Sequence, residues 1–411
     1  MAGNLPDLCL LGIFKHLNDD YKTLYSCTFV NKRWSYSSIP ILWTNPFELI
    51  SSFKKPKLLK PLLDTYLSFL PQSQSQELEI KPRFNRNTMT FNYPVYFRHM
   101  NLLLIFGGIE HWYQQEPTRE NYSCTLSKEI SICEALVEYF FIHSSKIDTL
   151  VIRNFDYFDI LNLSGSTNVL SKIHTLIFDH DIFNQFSTLS SLNQNIRSLT
   201  CYIEPPHLEL NDSLKQLIRS QKNLIDITIS EPEPDEREKP FPMYWEIFHS
   251  SINVTLTITF IEFEGIEFPR NFSLFHHLSS FINLQYLKFN GCDLLGIFFK
   301  EDQLLHEINS YRPLAFKKLN TIIVIETSLN IEILKILLQL SGEELRCLEL
   351  LDMKIAKFNY IIKWLEVFCL KLRRLVVMDR SNKLEIVRIQ DFFQKFDNLP
   401  YVIINGEKFT P

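Results

Sequence analysis

One spacing of apolar residues recurs along the second part of the chain, and it constrains the fold more than any other feature. The spacing is Leu-x-x-Leu-x-Leu, in which Ile, Val, Phe or Cys often replaces Leu. Each copy ends in an alternating pair such as Leu348 and Leu350, and a period of two is typical of a strand with one buried face. The copies begin at Ile147, Ile173, Ile196, Leu224, Leu284, Leu319, Leu345, Leu372 and Leu399, with a degenerate copy counted from Asn253 through Leu256 and Ile258.

The intervals between copies indicate how the strands associate. Successive copies begin about 23 to 35 residues apart, close to the period of roughly 20 to 29 residues that leucine-rich repeats have. Helical spacing between copies is clearest over 331–340, 361–368 and 386–396. A strand with a returning helix cannot bury its apolar face alone, so neighbouring repeats must stack. The pattern predicts an α/β solenoid with parallel strands on the concave face and helices on the convex face.

Two features make this solenoid irregular. The Asn/Cys position that ends a regular repeat holds Cys292 in one copy but Phe155, Asp181, Thr327, Met353 and Arg380 elsewhere, so a regular turn after each strand is not expected. The Pro-rich acidic segment 231–240 is predicted to be an exposed loop. It either offers acidic groups to a basic substrate or is only a solvated connection.

The first forty-odd residues have a different pattern. Apolar residues recur there at three- and four-residue steps in three short windows, separated by polar breaks such as 18–20. Pro6 stands where a first helix begins, a position that tolerates the missing amide. The spacing predicts three small helices. A segment this short buries little surface, so we expect it to pack on the following chain or on a partner.

The segment has a Leu5-Pro6 start, a Val30-Asn31-x-x-Trp34 step and a Pro40-x-Leu42-Trp43 ending, in this order. On these motifs it resembles an F-box, and the chain as a whole resembles the leucine-rich-repeat class of F-box protein. The resemblance implies that the segment binds the Skp-type adaptor of a cullin-RING (SCF) ubiquitin ligase. The repeats would recruit an unknown protein substrate for ubiquitination and proteasomal degradation. The matching residues, expected to bind the adaptor or to support that interface, are Leu5, Pro6, Ile13, Leu17, Leu24, Val30, Trp34, Leu42 and Trp43.

The chain is therefore predicted to have three parts. Residues 1–45 form the F-box-like three-helix module, and residues 136–411 form the leucine-rich-repeat solenoid. Residues 46–135 form a mostly helical connecting and capping region, with a possible degenerate early repeat whose strand would lie at 78–80. On the concave strand face, Lys288, Glu349 and Arg374 are the candidate substrate-binding residues, because they lie beside or between buried anchors.

Composition excludes several classes of partner. The 411 residues are 45% hydrophobic and 22% charged with a net charge of −5, which argues against binding to nucleic acid or an anionic membrane. No apolar run approaches the length of a membrane span, and no secretion signal is evident at the start of the chain. We expect a cytoplasmic or nuclear protein. The eight cysteines form no C-x-x-C pair, so neither zinc nor disulfides are expected.

No catalytic motif is present, and we expect neither enzymatic activity nor a cofactor. His276 and His277 are adjacent on a predicted helix and diverge too far to share a metal. An acid/base or metal site of His174, His180, Asp179 and Asp181 at one strand end is the remaining catalytic possibility. The alternative to a ligase receptor is a leucine-rich-repeat scaffold unrelated to ubiquitin, and adaptor binding discriminates the two.

Overall fold

A computed structural model describes residues 5–17, 20–52, 56–115, 125–179, 186–202, 210–231, 252–268, 274–295, 316–353, 358–379, 396 and 399–410. The chain divides into two compact units. Unit 1 is Met1–Gln185 and unit 2 is Phe186–Pro411. The acidic segment from 232 onwards and the predicted helix over 386–395 lie outside the described residues.

Unit 1 begins with three short helices, α1 (Asp7–Lys15), α2 (Tyr21–Cys27) and α3 (Lys32–Leu42). The Asp20 side chain accepts the Thr23 N–H and caps α2, while the Asn31 side chain accepts the Trp34 N–H and caps α3. We call residues 5–43 the N-terminal module. Its core is small and consists of Leu10, Phe14, Leu24, Cys27 and Ile41.

The N-terminal module continues into the rest of unit 1. The Trp43 ring packs against Tyr93 at 3.9 Å and against the buried Tyr66 at 5.3 Å, measured between ring centroids. The Thr44 carbonyl accepts the N–H groups of Arg98 and His99 at 3.0 and 3.1 Å. The region that follows the module is mainly helical, with α4 (Pro46–Ser52), α5 (Leu59–Leu67), α6 (Gln72–Glu77), α7 (Leu102–Gln114) and α8 (Thr125–His143).

Three parallel strands form the described sheet of unit 1. They are β1 (His99–Asn101), β2 (Thr149–Ile152) and β3 (Thr175–Phe178), with β1 paired to β2 and β2 to β3. The early strand predicted at 78–80 is wrong, because Glu79 has a left-handed φ of 57° and ends a helical turn. The early copy begins instead at Phe97 and continues through Met100 to Leu102, three fully buried residues. A short helix, α9 (Ser166–Leu170), lies between β2 and β3.

Unit 2 repeats a strand and, in most repeats described, a helix. Each strand from β4 to β10 pairs in parallel with the next where both are described, β10 pairs in parallel with β11, and β12 returns antiparallel to β11. The strands are β4 (Ser198–Tyr202), β5 (Asp226–Ser230), β6 (Phe260–Glu264), β7 (Tyr286–Asn290), β8 (Thr321–Ile325), β9 (Cys347–Met353), β10 (Arg374–Asp379), β11 (Val402–Ile404) and β12 (Glu407–Phe409). The helices are α10 (Phe186–Leu192), α11 (Leu210–Ser220), α12 (Ile252–Thr257), α13 (Leu274–Leu278), α14 (Ile331–Ser341) and α15 (Phe358–Phe368).

This order confirms the predicted stacking of repeats within unit 2, including the helices predicted at 331–340 and 361–368. The degenerate copy is wrong, because Asn253 and Leu256 lie in α12. The copy begins at Ile258 and buries Ile261 and Phe263 in β6. Strands stacked in chain order on a Leu-x-x-Leu-x-Leu spacing make a solenoid arrangement of the leucine-rich-repeat kind. The assignment of concave and convex faces stays a prediction.

A repeating backbone contact sets the register of these strands. The Ile225 carbonyl accepts the N–H groups of Thr259 and Phe260 at 2.9 and 3.2 Å, and the Thr259 carbonyl accepts those of Gln285 and Tyr286 at 2.8 and 3.0 Å. Carbonyls of Gln285, Asn320 and Arg346 repeat the contact with the next strand. A slip of one residue would turn every buried side chain to the opposite face, so this contact and the apolar alternation enforce one register.

The turns after the strands are more regular than the sequence indicates. A residue with positive φ follows β6, β7, β8 and β11, and another lies near the end of β9: Gly265 (69°), Gly291 (62°), Glu326 (48°), Asp352 (53°) and Asn405 (48°). Three of these are not glycine, and the left-handed conformation costs such residues about 1 to 2 kcal/mol. The turn is therefore conserved in backbone shape across repeats while its residue type varies.

Candidate functional site

Alternate side chains of β5 to β10 lie on one face of the unit 2 sheet, and most of them are partly buried or exposed. Their neighbours in sequence, such as Ile261 and Leu287, are fully buried on the other face, as the pleat of a strand requires. We call this surface the polar face. Its side chains include Asp226, Thr228, Phe260, Glu262, Tyr286, Lys288, Thr321, Ile323, Cys347, Glu349 and Arg374.

Two ion pairs lie on the polar face. Lys288 Nζ is 2.6 Å from Glu262 Oε1, and Arg374 Nε is 2.7 Å from Glu349 Oε1. Glu262 and Lys288 are register partners on adjacent strands, whereas Glu349 is in register with Val376, two residues along β10 from Arg374. The carboxylates are shielded, with side-chain exposures of 16% for Glu262 and 15% for Glu349. Shielding from water makes such pairs stronger than ordinary surface pairs.

All three candidate substrate-binding residues therefore lie on one face. Glu349 and Arg374 contact each other, while Lys288 contacts Glu262, which the sequence did not single out. The misplaced repeat at 253–258 hid Glu262, and a repeat counted from Ile258 would have placed it beside Lys288. The role of these residues in substrate binding stays a prediction.

An aromatic pair and an acidic residue occupy one row of the polar face. The rings of Phe260 and Tyr286 stack with centroids 4.6 Å apart and planes 23° apart. Asp226 is the register partner of Phe260 on the other side. Burial raises the pKa of the Asp226 carboxyl. Burial also raises the pKa of the Tyr286 hydroxyl, with added effects of Glu349, Cys347 and Glu262.

Cysteine thiols in the repeats of unit 2 have raised pKa values. Burial and then the Glu349 carboxylate raise the pKa of Cys347 to about 11, and burial raises the pKa of Cys292 and of Cys369 to about 12. These thiols are protonated at neutral pH, and a thiol is a poor nucleophile. Among the described residues, no group of His, Cys, Asp and Glu is arranged to hold a metal ion.

The histidine site considered at a strand end is not assembled by the described residues. His174 Nδ1 lies 3.5 Å from Asp148 Oδ1, and Asp148 also pairs with Lys146 and Arg98. The Asp179 side chain, just after β3, accepts the N–H of Asn154, which follows the neighbouring strand β2. His180 and Asp181 lie outside the described residues, and His276 and His277 lie in α13. Asp148 is thus a structural acid held among cations.

The candidate adaptor-binding residues fall into four groups in the N-terminal module: buried, exposed, packed on the following region, and partly buried. Leu24 is fully buried in its core, where it supports the helices. Ile13 and Val30 are exposed by 47% and 57%. Pro6 is exposed, and Trp43 packs towards the following region. The remaining four, Leu5, Leu17, Trp34 and Leu42, are partly buried against the core.

The module also exposes large apolar side chains that the sequence did not single out. Leu8 is exposed by 83%, Phe29 by 72% and Tyr25 by 59%. Sequence reasoning missed them because core and partner-facing positions use the same residue types. We call Leu8, Ile13, Tyr25, Phe29 and Val30 the apolar surface of the module. Scattered exposed apolar residues are ordinary, but so many in one short segment are typical of an interaction site.

Within the described part of the chain, no helix has the length and apolarity that crossing a membrane requires.

Comparisons with known proteins add little to these observations. No protein-family model and no curated protein matches the sequence. Among solved structures, the chain is similar to the leucine-rich repeat-containing protein LegL7 from Legionella pneumophila, with 11% identity and a TM-score of 0.40 over 67% of this chain and 89% of that chain. Strand order and register define the fold of this chain.

Proposed function

We propose that this chain is a non-catalytic substrate receptor of an SCF-type ubiquitin ligase. In this proposal the N-terminal module acts as an F-box that binds a Skp-type adaptor, and the repeats recruit a protein substrate. The ligase performs the chemistry, while the receptor holds a substrate lysine near the charged conjugating enzyme. Such a receptor would work in the cytoplasm or the nucleus.

The apolar surface of the module carries the proposal. The module has a core of five buried apolar side chains, yet the five side chains of its apolar surface and Tyr36 are exposed to solvent. Burying one such side chain in an interface contributes about 1.5 to 3 kcal/mol, so a few of them are enough to anchor a partner. The resemblance of residues 5–43 to an F-box supports the adaptor as that partner.

The connection between the module and the rest of unit 1 also supports the proposal. Trp43 packs against Tyr66 and Tyr93, and the Thr44 carbonyl accepts two N–H groups at the start of β1. A receptor needs a firm connection of this kind, because a bound substrate must be held at a defined distance from the adaptor.

A leucine-rich-repeat scaffold unrelated to ubiquitin is the second candidate. The same connection favours it, because a module that packs on unit 1 would also serve as a cap of the repeats. The two candidates differ in what the apolar surface binds.

Point substitutions on the apolar surface test the proposal. Deleting the module would uncover Tyr66 and Tyr93, so a deletion cannot separate binding from folding. We expect the full chain to copurify with a co-expressed Skp-type adaptor, and Phe29→Asp or Leu8→Asp to abolish copurification. Leu126→Asp is the matched control, because Leu126 lies on α8 of the same unit and is exposed by 52%.

Circular dichroism and thermal melting establish that each variant is folded. If the wild-type chain is folded and does not copurify with the adaptor, the ligase proposal fails and the scaffold candidate replaces it. If Phe29→Asp and Leu126→Asp bind equally well, the apolar surface is not the adaptor site.

A further inference from the structure

The row of Asp226, Phe260 and Tyr286 on the polar face has an asymmetric arrangement. Tyr286 stacks on one face of the Phe260 ring, with 4.6 Å between centroids and 23° between planes. Asp226 stands in register with Phe260 on β5, the neighbouring strand on the opposite side. Adjacent strands are about 4.8 Å apart, so the second face of the Phe260 ring and the Asp226 carboxylate border the same space. We call these three residues the aromatic row.

Within the described part of unit 2, no cation compensates the charge of Asp226. Among the described residues no hydrogen bond or ion pair involves the Asp226 carboxylate, and burial alone raises its pKa. The nearest cation in the adjacent row, Lys288, is already paired with Glu262 at 2.6 Å. The register partner on β4 is Ser198, which is neutral. A cation bound beside such a half-buried carboxylate stabilises its charged form, so cation binding at this position is favourable.

The shape of the space favours a planar cation. A cation over an aromatic ring within about 6 Å of its centroid is attracted by the ring, and arginine stacks on such faces more often than lysine. The guanidinium group also presents two parallel N–H donors to a carboxylate while its plane lies against a ring. An ammonium group cannot make both contacts with the same geometry.

We propose that the aromatic row receives an arginine side chain of a partner protein, stacked on Phe260 and hydrogen-bonded to Asp226. The inference rests on the proposed function in one respect, because in a ligase receptor this partner is the substrate. The substrate would then be a protein with an exposed segment that contains arginine. As a binding surface, the row is independent of the adaptor.

A displayed peptide library tests the proposal on the purified full chain without adaptor. Random twelve-residue peptides (about 40 Å when extended) are selected on the wild type, on Asp226→Asn and on Tyr286→Leu. The control is Glu343→Gln, because Glu343 is an exposed carboxylate that precedes β9 and lies outside the polar face. We expect peptides selected on the wild type and on the control to share an arginine at one position, and this preference to disappear on Asp226→Asn.

Titration of one selected peptide then measures the contact itself. Replacing its arginine by citrulline keeps the shape and removes the charge, and we expect a loss of about tenfold or more in affinity for the wild type. Asp226→Asn should cause a similar loss, and the two changes together should lose no more than either alone. Replacing the arginine by lysine should cost less than citrulline, because lysine keeps the positive charge beside Asp226 and loses only the planar stacking and the second parallel N–H donor.

Three outcomes overturn the proposal on chains that circular dichroism shows to be folded: selected peptides without a shared arginine, equal selection on Asp226→Asn, or losses from citrulline and Asp226→Asn that simply add. Failure of adaptor binding with arginine selection intact would refute the ligase role alone. Adaptor binding without arginine selection would refute the aromatic row alone.

Discussion

The N-terminal module and the repeats of unit 2 differ in how much of their apolar surface they remove from water. The module has a core of five side chains and leaves large apolar residues such as Leu8 and Phe29 in solvent. Unit 2 buries an apolar pair from each of its described parallel strands, repeats one backbone contact from strand to strand, and pairs charges on its polar face. In the proposed function, a partner covers the exposed apolar side chains of the module, whereas the repeats bury their own apolar face and would bind a substrate through their polar face.

The largest expected effect separates the inside of the module from its apolar surface. Leu24 is fully buried, so Leu24→Ala should lower the free energy of unfolding of the module by about 3 kcal/mol through lost burial and a cavity. Leu8→Ala should change it by less than about 0.5 kcal/mol, because Leu8 is exposed by 83%. Hydrogen exchange of amides in α1 and α3 measures both variants. Equal destabilisation by the two changes would contradict the division into core and surface.

The next effect concerns the backbone of unit 2. A Cβ atom on Gly265, whose φ is 69°, would lie 2.4 Å from the Glu231 carbonyl oxygen. Gly291 has a φ of 62°, but an added Cβ would meet nothing closer than 3.8 Å. Gly265→Ala should therefore cost about 3 kcal/mol through strain and close contact, and Gly291→Ala about 1 kcal/mol through strain alone. Urea unfolding monitored by circular dichroism compares them.

The difference between Gly265→Ala and Gly291→Ala measures how much the close backbone approach of neighbouring repeats contributes to the stability of unit 2. If the two alanine variants unfold at the same urea concentration, close backbone approach between neighbouring repeats does not set the stability of unit 2.

The smallest effect distinguishes a paired carboxylate from one without a described partner. At Asp148 burial acts to raise the pKa, but Lys146 and Arg98 outweigh it and hold the pKa below its usual range. At Asp226 burial raises the pKa. A group whose pKa is lower in the folded state than in the unfolded state stabilises the fold at pH values above its unfolded-state pKa. A group whose pKa is higher in the folded state destabilises the fold, and this destabilisation grows as the pH rises from the unfolded-state pKa to the folded-state pKa.

The two asparagine substitutions should thus act in opposite directions. At pH 7, Asp148→Asn should lower the free energy of unfolding and Asp226→Asn should raise it, each by less than about 1 kcal/mol. The Asp226→Asn difference should disappear as the pH falls below the unfolded-state pKa, because the carboxyl is then protonated in both states, whereas the Asp148→Asn difference should persist to lower pH and disappear only below the lowered folded-state pKa. Thermal melting across this pH range measures them, and a destabilising Asp226→Asn would mean that its carboxylate has a partner in the fold.

The repeats could be predicted from the sequence because a strict two-residue alternation at a near-constant period leaves few alternatives. The prediction was wrong where the signal weakened. It placed one copy at 253–258, although Ile258, Ile261 and Phe263 carry the same spacing a few residues later, and it missed the copy at Phe97, Met100 and Leu102. In both copies leucine is scarce, so the leucine pattern does not mark the strand. The residues that form the strand are set by pairing with the neighbouring strands of the sheet.

The candidate site could be predicted only in part. Lys288, Glu349 and Arg374 lie on one face, as alternation requires, but their ionic partners depend on the register between strands, which a single copy of the repeat does not encode. In the module, Leu24 and Ile13 have the same apolar character, and only the packing of three helices buries the first and exposes the second.

Direct binding of the purified full chain to a purified Skp-type adaptor tests the central claim. Titration calorimetry should give a one-to-one complex with a dissociation constant below about 1 μM, a heat-capacity change of the sign that burial of apolar surface produces, and at least a hundredfold weaker binding by Phe29→Asp. A folded wild-type chain that does not bind at about 100 μM adaptor would contradict the claim that the module is an adaptor-binding F-box.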